Sequence, residues 1–73
     1  MTKEELNDQA NALLTERELL KERLNHIENL SADEKAELYT SFRRNFNVIL
    51  QIEKALDKME IDEALAFLKE LLG

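Results

Sequence analysis

Leu6, Leu13, Leu20 and Ile27 recur at a strict interval of seven, and Ala10 and Leu24 fill the half-turns between them. A spacing near 3.5 sets these side chains along one stripe of a helix, and such a stripe needs another helix to cover it. Thr2 stands three residues before Glu5, and Ser31 three residues before Glu34. In this pattern the hydroxyl accepts from the third amide of the helix while the Glu reaches back to the cap amide. Acidic residues crowd both first turns, where the helix dipole favours them. The pattern predicts one helix over about 3–29 and a second over about 32–58. The turn at Asn29-Leu30-Ser31 is short, which makes the two antiparallel neighbours.

The third boundary carries neither glycine nor proline and is read from phase. Leu38, Phe42, Ile49, Ile52 and Leu56 share one face of the second helix. Continuing that face past Met59 would bring up Glu60, Glu63 and Glu70. The apolar residues present are Ile61, Leu65, Leu68 and Leu72, rotated by roughly 120°. A break at Met59-Glu60-Ile61-Asp62 is therefore expected, with Asp62 or Glu60 capping a third helix over 62–72. The competing reading is one bent helix from 32 to 72. The second helix is broadly apolar: Val48, Met59 and Phe46 widen its stripe to about half the circumference, with Tyr39 and Leu50 at one edge. The expected fold is all-α and a single domain over residues 1–73. It is an antiparallel, coiled-coil-like helical hairpin plus a shorter C-terminal helix, with oligomerisation as one way to complete its core.

Size sharpens this reading. A chain of 73 residues holds only ~3–5 kcal/mol from one core unless something else staples it. Cysteine is absent, which removes disulfides and thiolate metal sites. The remaining staple is association, with a partner or with a second copy. Charged residues make up 36% of the chain and the net charge is −6. That balance disfavours direct nucleic-acid binding and anionic membrane surfaces, and it favours a basic partner. No apolar run approaches the ~20 residues of a membrane span, and no signal-peptide stretch opens the chain. The cytoplasm is the expected location.

Candidate chemistry is sparse. His26 is the sole histidine. Glu22 lies one turn before it, but a bundle metal site needs several inward ligands, so neither a metal nor a cofactor is expected. In Phe42-Arg43-Arg44-Asn45-Phe46 the aromatics are four apart and read as core, which leaves both arginines facing outward. Arg17 and Asn45 interrupt their apolar stripes. Pairing about the 29–31 turn makes facing residue numbers sum to about 61, placing Arg17 level with Arg44 and next to Asn45. Such polar residues can fix register within a seam. Glu60, Asp62 and Glu63 lack the alternating ligands and central Gly of a calcium loop and read as helix-start acids.

His26 has no companion nucleophile in a recognisable context, and an enzyme is not expected. The expected function is protein binding by helix–helix docking, as an adaptor, chaperone or regulatory subunit. Its partner is another protein or a second copy of the chain. The expected contact residues are Val48, Ile52, Met59, Leu65, Leu68 and Leu72. An alternative is an acidic, phage-type inhibitor that occupies a basic or nucleic-acid-binding surface. A short hairpin without cysteine, ending in an amphipathic helix, also resembles the small co-chaperones of type III secretion needle subunits. That resemblance rests on size and pattern, and implies a helical chaperone without implying any site residue.

Overall fold

The computed structural model describes residues 2–73. The described elements are all helical: α1 (Lys3–Leu24), α2 (Ala32–Asn45), α3 (Leu50–Asp57) and α4 (Ile61–Leu72), with single 3-10 turns at Ile27–Asn29 and Phe46–Val48. No described helix is long and apolar enough to cross a membrane.

Both expected caps form in full. The Thr2 hydroxyl accepts from the Glu5 amide at 3.2 Å, and the Glu5 carboxylate accepts from the Thr2 amide at 3.4 Å. Ser31 and Glu34 repeat the exchange at 3.2 and 3.1 Å. Each box satisfies amides that the first turn would otherwise leave unpaired. The same Ser31 hydrogen bonds, with a smaller contribution from the Arg23 charge, hold the Glu34 carboxyl below its ordinary pKa.

Two helix boundaries differ from the pattern-based expectation. The first helix ends at Leu24, not near 29: the amides of His26, Asn29 and Leu30 bond three residues back, to Arg23, His26 and Ile27, and tighten the chain into the connection. The second difference is larger. The segment 32–58 is two helices, broken at Phe46–Ile49, where Ile49 takes an extended conformation at φ −115°, ψ 93°. A straight helix would hold Leu56 about 25 Å from Tyr39. Instead the Tyr39 hydroxyl donates to the Leu56 carbonyl at 3.2 Å, and Arg43 pairs with Asp57. The bend brings Leu56 and the whole of α4 onto α2. Leu56, Leu65 and Leu68 are thereby fully buried, worth about 1.5–3 kcal/mol each. The helical preference given up is at most about 0.7 kcal/mol per residue. Burial wins, and the chain bends without a glycine or proline.

The expected break after Met59 is present. Residues 58–60 form the turn, and Glu60, in an extended conformation, precedes α4 without a side-chain cap bond. One bent helix from 32 to 72 is excluded. Helix α4 packs on α2 and also reaches α1, and a weak Lys35–Asp62 ion pair at 3.9 Å marks its start. The core gathers Leu20 and Leu24 from α1, Leu38 and Phe42 from α2, Phe46 at the bend and Leu56 beyond it, and Ala64, Leu65 and Leu68 from α4.

The leucine ladder is covered along only part of its length. Helix α1 has 22 residues, about 33 Å, whereas α2 has 14, about 21 Å. Leu20 and Leu24 are buried, Leu13 is half-buried, and Leu6 is 51% exposed. Ile49, expected deep in the seam, is only half-buried because it sits in the bend. The molecule measures 40 × 24 × 21 Å.

Candidate interaction surface

Asn45 marks the end of the covered part of α1. Its side chain is 1% exposed, and both of its functional ends are satisfied. The Nδ2 group donates to the Leu13 carbonyl at 3.0 Å, and Oδ1 accepts from Arg17 Nε at 2.8 Å. The Arg17 guanidinium lies 4.3 Å from the Phe46 ring centre, near enough for a cation–π contact. Phe46 in turn stacks on Phe42 at 6.2 Å with the rings 15° apart. Residues 17 and 45 sum to 62 and 13 and 45 to 58, which bracket the register expected from the turn. A buried amide that uses both its donor and its acceptor on two residues of one neighbouring helix admits no slip of that helix.

At this pin and beyond it apolar side chains are exposed. Leu6 and Leu14 on α1 are about half exposed, and Val48 within the bend and Leu50 just past it are 66% and 61% exposed. Since Asn45 bonds to Leu13, both pairs belong to the same end of the molecule. A shallow depression of about 330 Å³ runs along this part of α1 between Gln9, Ala12, Leu13 and Glu16. Sequence reasoning missed Leu6 and Leu14 as surface residues. Leu6 belongs to the ladder, which signalled burial, and α2 is too short to reach it; Leu14 lies outside the ladder, one residue past Leu13, and is exposed on the flank of the seam.

The expected contact residues are not brought together on one surface. Val48 is exposed, and Ile52, Met59 and Leu72 are half-buried against the core. Leu65 and Leu68 have no exposed surface. They close the chain's own core and are not available to a partner while α4 is docked. One of the two arginines expected to face outward departs from that expectation. Arg44 is exposed, but Arg43 is engaged by Asp57 and lies 5.8 Å from the Tyr39 ring centre.

No family model, curated protein or solved structure matches this chain. Arg23, Thr40, Ser41 and Arg44, with Glu37 among them, line a second shallow depression between α1 and α2, in which the carboxylate offsets part of the cationic character. His26 is exposed and caps nothing. Among the described residues no group of three or more His, Cys, Asp or Glu is arranged to hold a metal.

Proposed function

We propose that this chain is a non-enzymatic protein-binding module, acting as an adaptor, chaperone or regulatory subunit, that receives an amphipathic helix of a partner on the uncovered end of α1. In this reading α1 and α2 form an antiparallel hairpin, and α3 and α4 fold over it as a closing flap. The observation that carries the proposal is the continuation of the leucine stripe beyond its cover: Leu6 stands exposed past the end of α2, with Leu14 exposed on the flank of the stripe, at the end of the molecule where Val48 and Leu50 are also exposed. Scattered exposed leucines need no explanation, but a stripe that continues a buried seam is a helix-docking face with one helix missing. Exposed acids beside it, Glu4, Glu5 and Asp8, would orient a partner that carries basic residues.

The test uses the chain as bait in its native host, followed by calorimetric titration of the purified partner. Leu6→Glu with Leu14→Glu abolishes binding if the stripe is the face, and leaves the fold intact because both side chains are exposed. Docking through leucines varies little with salt. The net charge of −6 supports a second reading, an acidic inhibitor of a basic surface. In that case binding survives the double substitution and weakens steeply as salt rises.

A further inference from the structure

The bend at Phe46–Ile49 is held by tertiary contacts, among them the Tyr39–Leu56 hydrogen bond and the Arg43–Asp57 pair. The segment contains no glycine or proline. At 100° per residue, Phe42, Asn45, Ile49, Ile52 and Leu56 fall within about 80° of one another along a continuous helix. The apolar face thus runs unbroken through the bend. Straightening would cost no amphipathic match. In the bent form the start of α3 has no side-chain cap, and Ile49 lies outside helical geometry. A 3-10 stretch interrupting an otherwise helical pattern is a common form of hinge.

We infer that residues 46–49 are a hinge for domain exchange: they become helical, α2 and α3 join into one helix over 32–57, and α3–α4 of each chain docks on α1–α2 of a second copy. The second copy is the occupant because it alone is known to fit. The surface that accepts Leu56, Leu65 and Leu68 already exists on every chain. In the exchanged dimer the Tyr39–Leu56 and Arg43–Asp57 contacts re-form between copies, as do the buried leucine contacts. Outside the hinge, which includes the core residue Phe46, the buried contacts are the same in both forms. The balance is set by the hinge, which gains helical hydrogen bonds, against the entropy of association. A short hinge whose straight form is a regular amphipathic helix tilts that balance toward exchange at high concentration. The consequence for function is a concentration-controlled change of shape, which displaces Val48 and Leu50 relative to Leu6 and Leu14. The inference goes beyond the docking proposal and does not depend on it.

Asn47 and Val48 are exposed, so they can be changed without disturbing the core. Asn47→Ala with Val48→Ala raises helical preference at the hinge, and is expected to tighten the dimer by roughly tenfold or more. Asn47→Gly with Val48→Gly should loosen it in turn. Sedimentation equilibrium reads both effects, and helical content by circular dichroism should rise with dimer fraction. Exchange itself is read by cross-linking. The chain has no cysteine of its own, so Lys35→Cys with Asp62→Cys places thiols at one α2–α4 contact. In the dimer fraction of the alanine variant, a short bis-maleimide should join residue 35 of one chain to residue 62 of the other. Cross-links within single chains in a dimeric sample would overturn exchange while leaving surface docking intact. A monomer at all concentrations, unmoved by either hinge pair, would overturn it as well. The Leu6→Glu and Leu14→Glu substitutions lie outside the exchanged contacts, so their effect on partner docking is read separately.

Discussion

Asn45 shows how one polar side chain organises an apolar seam. Burying an amide costs several kcal/mol unless its hydrogen bonds are replaced. Here Leu13 and Arg17 replace them, and the replacement is possible in only one register. Asn45→Ala should therefore cost about 1–3 kcal/mol in urea melts, since it strands a part-buried guanidinium N–H. Arg17→Met should cost less, because the methionine still covers Phe46. The pair should couple by about 0.5–3 kcal/mol in a double-mutant cycle. Strictly additive losses would mean that the two residues act independently and that the pin does not exist. The interruption of both stripes was legible in the sequence, as was the approximate level at which they meet. What could not be read was the depth of Asn45, because that depends on Phe46 and the bend closing over it.

Among the helices, those with strong local signals begin where the sequence places them, and those without are set by packing. Helices α1 and α2 start at capping boxes, whose hydrogen bonds span three residues and depend on nothing distant. The Glu34 carboxyl is held low chiefly by its bonds to Ser31. The folded state thus binds that proton less readily than the unfolded chain does. The stability this contributes is complete above the ordinary carboxylate pKa, and is lost as pH falls from there through the depressed value. Glu34→Gln removes that group, so unfolding midpoints measured in urea should fall less steeply with acid than in the parent chain. Equal slopes would show that the box carries no charge-dependent stability. The ends of α1 and the break between α2 and α3 have no comparable signal. They follow from where Leu56 and α4 can be buried.

On the scale of the whole molecule, stability is unevenly spread. The core lies between the second half of α1, α2 and α4, while the first turns of α1 extend past α2 with Leu6 bare. Two positions of one heptad ladder should then respond differently. Leu20→Ala opens a cavity and should cost ~2–5 kcal/mol, a large fraction of so small a domain's stability. Leu6→Ala should fall within about 0.5 kcal/mol of the parent. Thermal or denaturant melts compare them directly, and equal losses at both sites would mean that the stripe is covered throughout, by self-association at the concentration used. An unpaired leucine stripe persists here because a larger apolar cost is met elsewhere: bending the chain buries α4, and the same bend shortens the cover over α1.

The sequence by itself determined that the chain is helical, where α1 and α2 begin, that a turn falls near residue 30 and another near 60, and that Arg17 and Asn45 approach one another. Each of these rests on forces acting over one or two turns, or on a register counted from a short connection. Tertiary structure alone decided that the second helix bends at Phe46–Ile49, that Leu65 and Leu68 serve the chain's own core, and that Leu6 and Leu14 are left at the surface. The local preference for helix across the bend is worth a few tenths of a kcal/mol per residue, and the burial of three leucines outweighs it several-fold. Periodicity reports which faces are apolar. Which of them finds cover depends on how far each helix runs beside the next.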